Sequence, residues 1–148
     1  MKCLITFFLT IGLMLTAGCQ EKNPGLLGPK DGKLLPCPDA FNCVSTQDPR
    51  ERYRMAPIPY TGTQEEARDK MLTVIRRMIQ STLVKATPDY IHAEFRSSFF
   101  EFVDDVEFLF DDKAKLIHFR SASRAGYYDF KVNRARMEDI RRRFMGSG

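Results

Sequence analysis

The sequence predicts a two-layer α+β domain: an antiparallel sheet of about four to five strands with two helices packed on one face. Three observations predict it. Apolar residues recur at helical spacing after Thr63, the period then switches to two between residues 82 and 124, and helical spacing returns after Asn133.

The first helix starts on a capping box, with Thr63 as N-cap and Glu66 at the third helical position. Ala67, Met71, Val74, Ile75 and Met78 then form one apolar stripe, with Arg68, Lys70, Arg76 and Arg77 between them, so a helix is expected to about Gln80. Its stripe reads as core, because the strands that follow need a helix to cover them.

Strands are expected over 82–87, 90–97, 105–111 and 116–124. In the second, Ile91, Ala93 and Phe95 point one way and His92, Glu94 and Arg96 the other. Val106, Phe108 and Phe110 alternate with Asp105, Glu107 and Leu109, and Ile117 and Phe119 alternate with His118 and Arg120. Pro88-Asp89 and the stretch 111–115 supply turns. The segment 53–60 carries Pro57 and Pro59 and so allows at most an edge strand. The last helix places Met137, Ile140 and Phe144 on one side, with Asn133 as its expected N-cap and Gly146 as its stop.

The chain begins with Met1-Lys2, an apolar run from Leu4 to Leu15, and small residues up to Cys19, the layout of a secretory signal. The run is shorter than the about 20 apolar residues a spanning helix needs. Leu15-Thr16-Ala17-Gly18-Cys19 resembles the lipobox of bacterial lipoproteins, with Thr16 where leucine is usual. The resemblance implies cleavage before Cys19, lipid on that cysteine and attachment to a membrane through it. Gln20 then directs the product to the periplasmic face of the outer membrane in a Gram-negative cell. An ordinary secretory signal cut elsewhere is the alternative. The expected organisation is a signal peptide over 1–18, a lipidated N-terminus and flexible tether over 19–36, where Asn23-Pro24-Gly25, Gly28-Pro29 and Asp31-Gly32 are turn signals, and one domain over 37–148.

Export leaves Cys37 and Cys43 in the mature domain, and a structural disulfide is expected between them. A metal pair or redox couple is the alternative, but the spacing is not Cys-x-x-Cys and no further ligand cysteine exists. Without Lys2 the chain carries 22 basic and 19 acidic side chains. Charge is unevenly placed: 101–112 holds six acids and no base, whereas 118–148 holds eight bases and three acids. Outside the cytoplasm such a basic region meets phosphate headgroups or wall polymers, so nucleic acid is not an expected partner.

If Phe110 pairs with Ile117, Glu107 lies opposite Arg120 and Leu109 opposite His118. An antiparallel return from the preceding strand then adds His92, Glu94 and Arg96 to one polar face. As a site, that face offers carboxylates beside imidazoles for acid-base work and arginines for an anionic group. As plain structure, it is the solvated side of a half-buried sheet with cross-strand ion pairs. The loop after the last strand adds Ser123, Arg124, Tyr127 and Arg134, a set suited to an anion near a helix start. No catalytic residue, cofactor or metal ligand set is indicated, and the serines lack a nucleophile-elbow pattern.

Cys-Pro-x-x-x-Asn-Cys-Val at Cys37 to Val44, His-Ala-Glu-Phe-Arg-Ser at His92 to Ser97, Asp-Asp-Val-Glu-Phe at Asp104 to Phe108, Arg-Ser-Ala-Ser-Arg-x-Gly-Tyr at Arg120 to Tyr127 and Val-Asn-Arg-x-Arg at Val132 to Arg136 follow one another in order. Together they resemble the domain of unknown function 1499 (DUF1499) family, with Lys131 where glycine is expected. The resemblance implies one folded unit and carries no activity, substrate or catalytic residue. The expectation for function is therefore a non-enzymatic envelope lipoprotein binding an anionic or lipid-like ligand, or an envelope partner. The alternatives are a hydrolytic enzyme using Glu94 or Glu107 with a histidine, and a purely structural envelope protein.

Overall fold

The computed structural model describes residues 27–97 and 102–146. The expected signal peptide, Cys19 and the stretch 19–26 lie outside the described residues. The elements in chain order are β1 (Cys43–Ser45), a 3-10 turn (Glu51–Tyr53), β2 (Ile58–Pro59), α1 (Gln64–Arg76), β3 (Ser81–Ala86), β4 (Tyr90–Arg96), β5 (Val103–Asp111), β6 (Leu116–Ser123) and α2 (Val132–Gly146).

All strand pairs are antiparallel and run in the order β1-β6-β5-β4-β3, with β2 also on β6. The expected α+β architecture is present, with six strands in place of four to five. β2 falls within 53–60, where at most an edge strand is expected, and β1 is the unexpected piece; β1 pairs with residues 120–122 and β2 with Leu116 and Ile117, so they share one edge of β6 end to end. The central register is the one the alternation predicts, with Phe110 opposite Ile117, Leu109 opposite His118 and Glu107 opposite Arg120.

One sheet face and both helices enclose the main core. Ile91, Phe95, Val106, Phe108, Phe110, Ile117 and Phe119 meet Met71, Val74 and Ile75 of α1 and Met137, Ile140 and Phe144 of α2. Phe108 and Phe119 are cross-strand partners without solvent exposure. Burying each such side chain contributes about 1.5–3 kcal/mol.

The capping box of α1 forms as expected: Thr63 Oγ1 accepts from Glu66 N, and Glu66 Oε2 accepts from Thr63 N. This helix ends at Arg76, short of the expected Gln80. Ser81 Oγ donates to the carbonyls of Ile75 and Met78, and Gln80 turns into the left-handed region at φ 65°, which redirects the chain into β3. At α2, Asn133 lies inside the helix and does not cap it. Asp129 takes that role, with Oδ2 accepting from Asn133 N and Oδ1 from Lys131 N.

Cys37 and Cys43 are joined in a disulfide, with Cα atoms 5.8 Å apart. Asp48 braces this loop: its carboxylate accepts from Cys37 N at 2.8 Å and from Arg50 at 2.9 Å. The expected tether ran to residue 36, yet its part from Leu27 onward lies against the domain. Gly28 N donates to Glu107, Leu34 N donates to Gln47 Oε1, and the Leu34 side chain packs on Tyr90 and Leu109. No helix among the described residues is long and apolar enough to cross a membrane.

Candidate functional site

The sheet face away from the helices gathers the polar residues that the alternation places together. It is divided into two paired groups. In the first, Asp105 Oδ1 lies 2.8 Å from His92 Nε2, and both Asp105 oxygens accept from Arg124 at 2.8 Å. Arg124 also holds Glu94 at 2.5 Å, and Glu94 accepts from the exposed Arg96 at 3.2 Å. Burial pushes the Asp105 carboxyl up, but hydrogen bonds and charge from Arg124 and His92 outweigh it and leave it below the usual range. The Arg124 guanidinium is held even more firmly in its charged form, chiefly by its hydrogen bond to Asp105.

In the second group Glu107 has no solvent exposure and accepts three hydrogen bonds: Tyr90 Oη at 2.8 Å, Gly28 N at 2.9 Å and Arg120 Nη1 at 3.3 Å. The segment around Gly28 and Leu34 therefore seals this carboxylate from above. Burial, followed by the Glu107 charge, drives the Tyr90 phenol well above its ordinary range, so Tyr90 stays a neutral donor. Arg120 is buried with it, and its Nε has no hydrogen-bond partner among the described residues. His118 lies on the same face, with Nδ1 3.2 Å from Thr46 Oγ1, and desolvation lowers its pKa.

Acid-base chemistry needs a carboxylate or imidazole that a substrate can approach. Glu107 is sealed, and His92 is buried against Asp105. The face is neither the open solvated surface nor the enclosed pocket that the sequence allows. It is a second, polar interior layer.

The remaining candidates are separated from it. Ser123 accepts from Asn133 Nδ2 at 3.0 Å. Asn133 further donates to Asn42 O and accepts from Ser121 and Arg136, while Arg136 reaches Asp104 at 2.5 Å. The motif residues Asn42, Asp104, Ser121, Ser123, Asn133 and Arg136 thus form one polar node that fixes the start of α2 to β5, β6 and the disulfide loop. Asn42 extends it, donating to Gly126 O at 2.6 Å.

Tyr127 and Arg134 belong to a third place, beside the disulfide, where sequence reasoning missed most of the neighbours. Phe41, Arg52, Tyr53, Tyr128, Lys131 and Arg134, together with Asp129, line an open cleft of about 160 Å³. Phe41 packs edge-on against Tyr127 at 5.5 Å between centroids, and Tyr128 against Phe130 at 5.1 Å. The Arg52 guanidinium lies 4.7 Å from the Tyr53 ring centroid and 5.4 Å from that of Phe41, and pairs with Asp39. Among the described residues, Arg134 makes only long contacts, 3.4 and 3.5 Å, to the carbonyls of Arg54 and Arg52. A second groove between the helices is lined by Lys70, Arg77, Arg142 and Arg143, the last two paired with Asp139.

The signal for the aromatic cleft was present but dispersed. Phe41 lies inside the disulfide loop and Arg52 on the 3-10 turn, and neither periodicity nor spacing connects them to residues 127–134. No curated protein and no solved structure matches the chain. The family model described as "Protein of unknown function (DUF1499)" matches residues 33–144, which includes every element of the sheet and most of α2. The chain belongs to the DUF1499 family.

Proposed function

We propose that this protein is a non-enzymatic binding module of the cell envelope, exported by its first 18 residues, held to a membrane by lipid on Cys19, and engaging an anionic or lipid-like ligand. One observation carries the reading. The acid-base candidates are committed to one another, whereas the cleft beside the disulfide is open and aromatic, and Arg52, Lys131 and Arg134 in its lining outnumber Asp129. Guanidinium and ammonium groups next to aromatic faces suit a phosphate or carboxylate attached to an apolar body.

Arg120 and Arg124 support this function only indirectly, by holding the sheet that carries the cleft. The test is an NMR titration of the mature chain, carrying Cys19→Ser to prevent acylation, with glycerol phosphate. Resonances of Arg52, Lys131 and Arg134 are expected to move; a silent cleft would contradict binding of a small anion there. Mass measurement of the natural mature N-terminus tests the anchor: acylated Cys19 is expected, and cleavage elsewhere would contradict it.

A further inference from the structure

The loop between β6 and α2 displays apolar surface in a way that its backbone resists. Phe130 is 84% exposed, Tyr127 64%, Tyr128 52% and Phe41 46%, and Val132 is also exposed. The four rings form a continuous cluster of edge-on and tilted contacts at the end of the sheet next to β1. Phe130 and Lys131 stand consecutively at φ 54° and 67°. A bulky non-glycine residue in the left-handed region is unfavourable, and such strain collects where a side chain must be presented. Here the strained backbone holds a phenyl ring in water while neighbouring residues cap the helix.

We propose that this face docks on an anionic bilayer surface, with Phe130, Tyr127 and Tyr128 entering the interfacial region and Arg52, Lys131 and Arg134 meeting lipid phosphates. The inference rests on the anion-binding reading above and names its partner. Aromatic residues with a polar end settle at the level of the headgroups, and basic residues beside them add attraction to anionic lipid. Charge complementarity favours a bilayer: Arg52, Lys131 and Arg134 outnumber the two acids beside them, with Asp39 paired to Arg52 and Asp129 accepting from Lys131 N and Asn133 at the start of α2. Chain length agrees. From a lipidated Cys19 to Leu27 the backbone spans at most about 28 Å, so the anchor keeps the domain at the membrane.

The chain contains no tryptophan, which gives a clean reporter. Phe130→Trp would be made in the full protein as the cell processes it, and the purified protein mixed with vesicles of phosphatidylglycerol carrying brominated acyl chains. Val84→Trp is the control, on an exposed position of β3 at the other edge of the sheet. The Phe130→Trp emission is expected to shift to the blue and fall about twofold, as for a ring about 5–10 Å into the headgroup boundary, while the control does neither. The response is expected to be weaker in phosphatidylcholine. An unquenched Phe130→Trp signal overturns the proposal and is the result expected if a protein partner covers this face. Equal quenching of both reporters also overturns it, because the anchor alone would then explain the proximity, and so does an equal response in neutral vesicles. If glycerol phosphate moves the cleft resonances while the reporter stays unquenched, docking fails and the anion reading stands. A quenched reporter with a flat titration leaves docking and removes the small-anion reading.

Discussion

Arg120→Ala is expected to destabilise the protein more than any solvent-exposed charge removal. The residue donates to Glu107, which has no solvent exposure and no other cation within hydrogen-bonding distance among the described residues. Removing it leaves a buried carboxylate held only by Tyr90 Oη and Gly28 N, a change that costs about 3–5 kcal/mol. For a domain of this size that is a loss of roughly 12–20 °C in Tm. A compensating variant separates the cost of an orphaned charge from the worth of the pair. Glu107→Met with Arg120→Met and Tyr90→Phe removes both charges and the phenol that would otherwise lose its acceptor, a group worth about 1–3 kcal/mol if left unsatisfied. This triple variant is expected to regain part of the loss, the remainder being the cost of the Gly28 N–H, which also loses its acceptor. Urea unfolding at neutral pH, followed by circular dichroism, measures both. A loss below about 1 kcal/mol for Arg120→Ala would mean that the pair is screened by water, as exposed pairs are. A triple variant as unstable as the single would equally refute the reasoning.

Three further outcomes follow from the same structure. Hydrogen bonds from Arg50 and then from Cys37 N hold the buried Asp48 carboxyl at about 2, below its ordinary 3.8. The folded state therefore gains stability that is complete above about pH 4 and is lost as pH falls through 2, roughly 2 kcal/mol in all. Asp48→Asn should remove that part of the acid sensitivity in a pH series of unfolding curves. Lys131→Gly should raise stability by about 0.5–1 kcal/mol, because it relieves a left-handed penalty of about 1–2 kcal/mol at the cost of glycine's extra chain entropy; an unchanged or lower Tm would contradict the strain assigned there. Reducing the disulfide, which closes a sequence separation of 6, should cost about 2 kcal/mol in urea unfolding with and without reductant.

Local alternation was sufficient to read the centre of the sheet. Val106, Phe108 and Phe110 against Ile117 and Phe119 set a register in which a slip of one residue would turn every phenylalanine to the polar side. Thr63 and Glu66 likewise marked the start of α1, because a capping box is complete within four residues. The misses share one cause, which is long-range contact. β1 is three buried residues with no alternation to detect, held by pairing with residues 120–122. Asn133 looks like a helix cap locally, but Asn42 O, Ser121 and Ser123 draw its side chain into the interior. Gly28 and Leu34 sit among turn signals, and only the far-off Glu107, Tyr90 and Leu109 bring them onto the sheet.

The candidate site divides the same way. The co-facial placement of His92, Glu94, Glu107 and Arg120 was legible, since it depends on period two alone. Its burial was not, because the cover comes from outside the strands. Phe41, Arg52 and Tyr128 were invisible as a group for a related reason: Phe41 reaches Tyr128 through a parallel bridge between two irregular segments. Lys131, by contrast, stands where the family resemblance implies glycine, and its φ of 67° supplies the physical reason.

Hydrogen exchange of the full protein, with and without phosphatidylglycerol vesicles, tests most directly whether the working surface is the aromatic face and not the polar sheet face. Slower exchange is predicted at Phe41, Asn42 and residues 127–134, with β4 and β5 unchanged. Protection appearing over β4, β5 or residues 27–34, with none at the aromatic face, would contradict the account.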